Sequence, residues 1–406
     1  VYINDIGDKL LSLSRLFADD TSLGYASQDE DQIKYVINHD LHELGDWSKR
    51  WLMSFNPDKT EIMLFKNVEN STNFYFYFDG KLIPLTSNHK HLGITFSEEA
   101  KWNKHVANLI KSVSKHICVL RKLKYKLNRK NLEKLYLIYI RPIFEYACEV
   151  WDNCGVSNSC KLERLQLEAA RIITGLPIFT NTEYLYRETG WERLEERRTR
   201  RKLQLLYNIQ NGSTPSYLLD LIPPTIQSTT IYPLRNGNDI IVPFCRLSLT
   251  RDSFVSATVR EWNNLNLSVR NLDTLSKFKK AIRSSISMPI PRHYSYGPRK
   301  LNIILTQLRC NASFLNYDLC KVKILSNASC NCGAPCENSH HFFFDCDKYT
   351  DNREIIFNSL NWLPSNINID VNLLTKGSDL LTYEENITIF KHAFKYIKDS
   401  KRFTIV

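Results

Sequence analysis

Long apolar segments are scarce in this 406-residue sequence, and no run approaches the ~20 residues that a membrane-spanning helix requires. The first residues also lack a basic segment followed by an apolar core, which is the pattern of a secretory signal. Internal repeats and low-complexity tracts are absent as well. These absences predict a protein of the nucleus or cytoplasm that does not enter a membrane.

Acidic residues are too few to balance the basic ones. The chain has 54 Lys and Arg against 43 Asp and Glu, a net charge of +11 and a pI near 9.0. This balance favours a polyanionic partner, most simply nucleic acid. The 43% hydrophobic and 12% aromatic content is typical of a globular protein. Because the 11 cysteines are odd in number and no export signal is present, we expect reduced thiols, with a metal site where they cluster.

Two adjacent aspartates, Asp19 and Asp20, stand between short apolar runs in SRLFADDTSL (14–23). The flanking residues predict two short strands joined at an Asp-Asp tip. A turn exposed to water would tolerate the paired charges, whereas a divalent-cation site would need them. On the tetrapeptide FADD alone, the exposed turn is the simpler interpretation.

Helical and strand patterns follow in the rest of the first hundred residues. Apolar residues at three- and four-residue steps predict a helix from Ile33 to Trp51. TEIMLF (60–65) is typical of a strand. FYFYFDGKLIPL (74–85) predicts a hairpin that turns at Asp79-Gly80. The alternating aromatic residues of this hairpin could stack on bases, but packing against a core is favoured.

From Lys101 the sequence changes to long basic helices. On a helical wheel, the apolar residues from Val106 to Leu120 fall on one side, and four lysines fall on the other. These lysines are Lys104, Lys111, Lys115 and Lys122. Such a stripe could grip a phosphate backbone, or it could be an ordinary solvated face. The run ERRTRRK (196–202) allows the same two interpretations and could also be a nuclear import signal.

Cysteine and histidine cluster in CNCGAPCENSHHFFFDC (330–346). Three thiolates and one imidazole form a standard tetrahedral Zn²⁺ ligand set. A metal would also supply folding free energy to a knuckle that is too small to hold a core. Several residues could supply the four ligands, and a reduced cysteine cluster in a loop is the alternative.

The order of these segments resembles the reverse transcriptases of non-LTR (LINE-type) retrotransposons, most closely the jockey-like group. The resemblance covers nearly the whole chain. The motifs that carry it are FADD (17–20), WSKRWLMSFNPDKTEIMLF (47–65), HLGITF (91–96), KWNKHVANLIKSV (101–113), RDSFVSATVREWNNL (251–265) and the Cys/His segment 330–346. In this family, the Asp-Asp hairpin is motif C of the polymerase, and the LG segment is a strand.

The resemblance implies an α+β fold. A partial polymerase palm, built of antiparallel hairpins plus a helix, spans 1–100 and is followed by a basic helical thumb at 101–211. A loop-rich connector with short helices occupies 212–290, and the mostly helical region 301–406 carries a zinc-knuckle-like module. The three prolines of 287–300 predict the linker before this last region.

The resemblance also implies a catalytic chemistry. Asp19 matches a Mg²⁺ ligand, Asp20 a weaker or supporting carboxylate, and Lys59 a motif D lysine that protonates the leaving pyrophosphate. A solvent lysine beside a strand is the alternative for Lys59. Nucleotide addition uses two Mg²⁺ ions about 3.5–4 Å apart, and bound Mg²⁺ offsets the repulsion between neighbouring carboxylates.

In the family, a further metal-binding Asp in motif A, the glycine of motif B and the fingers all precede motif C. VYINDI, at the start of this sequence, resembles the end of the segment that follows motif B. We therefore expect a fragment that lacks these upstream parts. Two carboxylates without the third would leave the metal pair short of ligands, so we expect this chain to be inactive as a polymerase by itself.

The family pattern selects a particular set of zinc ligands, namely Cys330, Cys332, His341 and Cys346, with Cys336 or His340 as substitutes. It also implies an RNA template and a DNA primer or target as partners. Two functions remain open. The chain is either a reverse transcriptase fragment or a non-catalytic nucleic-acid-binding remnant or domesticated protein that uses the basic thumb and the zinc module.

Overall fold

The computed structural model describes residues 5–65, 74–283 and 290–403. They divide into two compact units, one ending at His105 and the other beginning at Val106. The fold is mixed, with small antiparallel hairpins and a majority of helix, which agrees with the α+β class. No helix in the described ranges is both long and apolar enough to cross a bilayer.

The first unit contains three antiparallel hairpins among its described residues. Their strands are β1 (Leu13–Phe17) with β2 (Asp20–Gly24), β3 (Tyr77–Phe78) with β4 (Lys81–Leu82), and β5 (Asn88–His91) with β6 (Ile94–Ser97). Asp79 and Gly80 both have positive φ, at 46° and 74°, as a type I′ turn requires. The predicted hairpin at this position is therefore present.

One strand prediction in this unit holds in part and another is wrong. In HLGITF (91–96), Leu92 and Gly93 form the turn between β5 and β6, with φ of 46° and 83°, and the strand begins at Ile94. The segment 60–65, predicted as a strand, makes only one isolated parallel bridge, from Ile62 to Leu85. Lys59 precedes it at the end of a 3₁₀ turn, Pro57–Lys59.

Helix α1 (Glu30–Trp51) provides the core of the first unit. Its side chains Leu41, Leu44 and Trp47 are buried against aromatic residues of the β3 hairpin, including Phe76 and Phe78. The alternation in this hairpin thus places phenylalanines inside and leaves tyrosines exposed. Packing, rather than base stacking, explains the buried half of the pattern.

After β6, every further α-helix or β-strand that the described residues form is a helix. They are α2 (Asn103–Leu123), α3 (Arg129–Leu135), α4 (Arg141–Glu145), α5 (Cys148–Trp151), α6 (Val156–Thr174), α7 (Thr182–Thr189), α8 (Leu194–Gln210), α9 (Ser248–Arg251), α10 (Phe254–Asn263), α11 (Leu267–Arg270), α12 (Leu275–Ala281), α13 (Arg299–Arg309), α14 (Asn316–Lys321), α15 (Thr350–Ser359), α16 (Val371–Lys376) and α17 (Tyr383–Asp399). A π-helical turn, Tyr136–Ile140, joins α3 to α4.

The basic run of α8 is largely internal. Arg198 is only 2% exposed and donates to Asp152 at 2.6 Å, and Lys202 pairs with the same carboxylate. Arg197 pairs with Glu145 at 2.5 Å and with Glu192 at 3.0 Å. The run therefore holds helices together, and its interpretation as a solvated face or a phosphate contact is wrong.

The predicted linker 287–300 is also packed where the structure describes it, from residue 290 onward; residues 287–289 lie outside the described ranges. The hydroxyl of the buried Tyr294 donates to the carbonyl of Thr174 at 3.0 Å and accepts from Thr306 at 2.6 Å. The guanidinium of Arg129 lies 4.4 Å from the centre of the Tyr294 ring. This segment is thus part of the core of the second unit.

A glycine permits the close approach of two helices in this unit. Gly175 ends α6 with φ of +81°, and a Cβ added there would overlap the side chain of Ile303 in α13. The side-chain amide of Gln307 donates to the carbonyl of the same glycine at 2.8 Å. Only a residue without a side chain satisfies both the backbone conformation and the contact.

We expect Gly175→Ala to lower the free energy of unfolding by roughly 2–4 kcal/mol, because it adds overpacking to backbone strain. The matched control is Gly212→Ala. Gly212 also has positive φ, +65°, but an added Cβ would meet nothing within 4 Å. Gly212→Ala should therefore lower the free energy of unfolding only by the cost of the backbone strain, about 1–2 kcal/mol. Urea denaturation measures both, and equal losses would contradict the proposed contact.

Candidate active site and metal centre

The Asp-Asp pair lies at the tip of the first hairpin. Phe17 pairs with Asp20 across the ladder, which leaves Ala18 and Asp19 in the turn. Ala18 has φ of 55°, an uncommon conformation for a residue with a side chain, and such strain often marks a functional position. Both carboxylates are exposed. A cation in solution could reach them directly.

The base of this hairpin is fixed by a buried carboxylate. Asp40 of α1 accepts hydrogen bonds from the backbone N–H groups of Leu11 and Ser12, each at 2.8 Å. Burial opposes ionisation of Asp40, but hydrogen bonds from Ser12, Leu11 and His39 outweigh it and lower the pKa. Helix α1 thereby determines where β1 begins.

The apolar side chains that flank the aspartates are exposed, with Phe17 at 62% and Leu13 at 59%. On the neighbouring strand, the Ser22 hydroxyl lies 3.5 Å from Nε2 of His91 in β5. The hairpin therefore contacts α1 and β5, while one apolar surface beside the carboxylates faces solvent. This surface could pack against further protein.

The residues predicted to act with the carboxylates do not form a complete cation site. Lys59 is exposed at the end of its 3₁₀ turn, and no ion pair joins it to Asp19 or Asp20 in the described chain. One group of at least three potential metal ligands is found among the described residues, and it lies in the second unit. A third ligand beside the Asp-Asp pair is thus absent from the described ranges.

The four predicted lysines of α2 are all exposed: Lys104, Lys111, Lys115 and Lys122. On the opposite side of the helix, Val106, Val113, Ile117 and Leu120 are buried. None of the four ammonium groups forms an ion pair with a described residue. Their charges are therefore available to an anionic partner.

The Cys/His segment forms a compact cluster of ligand atoms. The Sγ atoms of Cys330, Cys332 and Cys346 and a ring nitrogen of His341 all lie within 4.8 Å of one another. Cys330 and Cys346 are separated by 3.8 Å between sulfurs, and Cys332 Sγ lies 3.3 Å from His341 Nε2. A tetrahedral ion with Zn–S bonds of about 2.3 Å separates two sulfurs by about 3.8 Å, so the spacing fits Zn²⁺.

Two local structures bring these ligands together. Gly333 adopts φ of +99° and donates to the carbonyl of Cys330 at 3.0 Å, which closes the first turn. A π-helical turn, His341–Asp345, then lets the N–H of Cys346 donate to the carbonyl of His341 at 2.9 Å. Neither turn is evident from the periodicity of the sequence.

The structure also separates the alternative ligands. His340 is exposed and its Nδ1 pairs with Asp345 at 2.9 Å, while Cys336 lies outside the cluster. Burial raises the pKa of the Cys330 thiol, and it raises the pKa of Cys346 to about 12. Because a buried thiolate costs free energy when no cation is near, a bound metal would stabilise the thiolates of Cys330 and Cys346.

The cluster rests on a helical core, unlike the isolated knuckle predicted from the sequence. Phe342 and Phe343 are buried among side chains of α13, α15, α16 and α17. The sequence also gave no reason to select Glu337, whose carboxylate receives two hydrogen bonds of 2.7 Å from Arg402. Burial opposes ionisation of Glu337, but the Arg402 hydrogen bonds outweigh it and lower the pKa.

The chain is similar to RNA-directed DNA polymerases of mobile elements, although no family model matches it. Three curated relatives come from Drosophila melanogaster. The probable polymerase of transposon X-element is 26% identical over 181 residues, that of transposon BS 26% over 202 residues, and the polymerase of mobile element jockey 23% over 175 residues.

These alignments cover 44%, 48% and 42% of this chain and 20%, 22% and 19% of the relatives' own lengths. The chain thus spans about a fifth of the length of the curated relatives it matches. The resemblance to reverse transcriptases of non-LTR retrotransposons, jockey among them, is confirmed by these relatives.

We expect the purified chain to carry about one Zn²⁺, and Cys332→Ser to reduce this to well below half. The matched control is Cys336→Ser, which removes a nearby thiol outside the cluster and should leave the metal content unchanged. Elemental analysis of the full chain measures all three proteins. Loss of zinc in the control, or its retention in Cys332→Ser, would contradict the ligand set.

Proposed function

We propose that this chain acts in RNA-directed DNA synthesis by two-metal nucleotidyl transfer, with Asp19 and Asp20 as ligands of the catalytic Mg²⁺. The observation that carries the proposal is the Asp-Asp pair at the strained, exposed tip of the β1–β2 hairpin. The similarity to mobile-element polymerases supports it.

The residues would divide the chemistry among them. When bound, Mg²⁺ would activate the primer hydroxyl and stabilise charge on the leaving pyrophosphate. The two carboxylates would position the ions, because Mg²⁺ prefers oxygen ligands. Lys59 would transfer a proton from its ammonium group to a pyrophosphate oxygen as the bond to the α-phosphorus breaks.

The proposed site needs one more carboxylate. Since the described residues supply no third ligand near the pair, we propose that an aspartate outside them completes the site in the working polymerase. Without it, the 406-residue chain would bind template and primer but not extend the primer. The exposed apolar surface of β1 is where additional strands of a palm would pack.

Binding of nucleic acid is assigned mainly to the second unit and to α2. The lysines of α2 would contact the phosphates of an RNA template paired with a DNA primer or target. The Cys/His centre, loaded with Zn²⁺, would hold the loop 330–346 in a conformation that contacts RNA or target DNA. Such a protein would be translated in the cytoplasm and would act in the nucleus.

A second function follows if the third carboxylate does not exist. The chain would then be a non-catalytic nucleic-acid-binding protein, which keeps the basic helix and the metal centre. The absence of a third ligand in the described ranges favours this alternative. Both functions share the same binding surfaces, so catalysis is the property that separates them.

We expect Asp19→Asn to reduce Mg²⁺-dependent primer extension by more than about 100-fold, because loss of a direct ligand should exceed the 10–100-fold effects of outer-shell residues. The assay uses the longest reading frame that contains this chain, on an RNA template with a DNA primer. Template binding should persist. Asp8→Asn, a change of an exposed carboxylate in the same unit, is the control. Extension that survives Asp19→Asn would contradict the assignment.

We expect replacement of the four α2 lysines by glutamine to flatten the salt dependence of duplex binding. Each lost phosphate contact should reduce the slope of log K against log salt by about 0.9. A charge-matched control replaces four lysines that are ion-paired to carboxylates, namely Lys34, Lys49, Lys101 and Lys277. Equal slopes in the two variants would remove α2 from the interface.

A further inference from the structure

A cleft of about 350 Å³ opens in the second unit beside α3 and the segment that joins α7 to α8. Pockets that hold small ligands begin at about 300 Å³, so one nucleotide is a suitable occupant by size. Neither the carboxylate pair nor the Cys/His centre contributes to its walls. The cleft is thus a separate feature of the molecule.

The cations that line this cleft include three without an internal partner. Lys130, Lys134 and Arg283 are exposed, and none forms an ion pair with a described residue. The other two lining arginines, Arg141 and Arg197, both lie close to Glu145, at 3.6 and 2.5 Å. The unpaired charges make the cleft a favourable place for an anionic group.

An aromatic ring and a buried acceptor lie in the same cleft. The Trp191 ring stacks on Tyr136 with centroids 4.0 Å apart, and its Nε1–H donates to Oε1 of Glu133 at 3.0 Å. Glu133 is only 9% exposed, and its second oxygen, Oε2, is buried without a hydrogen-bond partner in the described structure. Leaving such an acceptor unsatisfied is costly, so a donor from a ligand would stabilise it.

We propose that this cleft binds one unstacked nucleotide of single-stranded RNA or DNA. Its phosphate contacts Lys130, Lys134 and Arg283, and its base lies against Trp191. An amino group of the base donates to Glu133 Oε2, which is closed to solvent in this structure and is opened to the cleft by rotation of the carboxyl group. A bare phosphate would be repelled by the carboxylate, and an apolar ligand would leave both the acceptor and the cations unsatisfied. The combination of cations, indole and acceptor matches a nucleotide.

The chemistry of Glu133 also sets a base preference. Cytosine presents an amino donor where uracil presents a carbonyl acceptor, and a carboxylate accepts from the first and repels the second. The inference rests on the proposed nucleic-acid role of the chain and adds a preference for cytosine over uracil. It requires neither the catalytic carboxylates nor the lysines of α2.

The test measures binding of fluorescein-labelled octamers of cytidylate and uridylate to the full 406-residue chain by anisotropy. We expect the cytidylate octamer to bind about tenfold more tightly. Glu133→Gln should reverse the preference, because one amide oxygen can still accept from Trp191 while the amide N–H donates to the uracil carbonyl. Equal binding of the two octamers by the unaltered chain would overturn the proposal, as would an unchanged ratio in folded Glu133→Gln.

A second variant keeps the test decisive if Glu133→Gln does not fold. Lys130→Gln combined with Lys134→Gln changes only exposed side chains, and it should weaken both octamers by about tenfold while preserving their ratio. The α2 lysine variant is the control and should leave the ratio unchanged. Full-strength binding by the Lys130/Lys134 variant would overturn the phosphate contact.

Competition with free cytidine monophosphate shows whether the cleft binds a nucleotide within a strand or a free nucleotide. If the occupant is part of a strand, the monophosphate should displace the octamer only at concentrations roughly 100-fold above the octamer's Kd, because neighbouring phosphates add to strand binding. Displacement at the same concentration would overturn the strand as occupant. The two proposals can also fail separately. If the unaltered chain does not bind duplex but still prefers cytidylate over uridylate, the α2 interface is refuted and the cleft is supported.

Discussion

The buried carboxylate of Glu188 joins three helices of the second unit, and much of that unit depends on it. Glu188 lies in α7, accepts a 2.7 Å hydrogen bond from Arg129 of α3, and pairs with Arg309 of α13. Breaking a buried pair by removing one partner costs about 3–5 kcal/mol, because a charge is left without compensation. The three helices must therefore dock together. His293 adds no charge, since burial and then the neighbouring arginines lower its pKa well below the usual value.

This arrangement joins segments that the sequence assigned to different regions. Arg129 belongs to the predicted thumb and Arg309 to the predicted C-terminal region, and the segment between them supplies Tyr294, whose ring is covered by the Arg129 guanidinium. The Cys/His cluster sits on the same helical body, through Phe342 and Phe343. Metal binding there would therefore act on a framework that is already folded, and its contribution would be to order the loop 330–346 rather than to create a core.

Elements with strong local signals could be predicted from the sequence, whereas long-range pairings could not. Helices α1 and α2 follow from apolar periodicity, and the β3–β4 turn follows from Asp79-Gly80. The environment of the basic run of α8 does not follow from periodicity, because its partners, such as Asp152 and Glu145, lie more than 40 residues away and the sequence does not show which carboxylates approach. The family pattern selects His341 over His340, and the folded loop gives the physical reason, because His341 faces Cys332 whereas His340 is exposed and pairs with Asp345.

The two candidate metal sites differ in how much of each the described residues supply. The Cys/His cluster has four ligands at a spacing that fits a tetrahedral ion, on rigid support. The Asp-Asp tip has two carboxylates, a strained turn and an exposed apolar flank, and the described residues supply no third ligand beside it. On the proposed function, the residues that would bind nucleic acid lie mainly in the second unit, whereas the residues that would catalyse lie on a hairpin that supplies only two of the ligands. Binding would therefore not depend on completion of the Asp-Asp site.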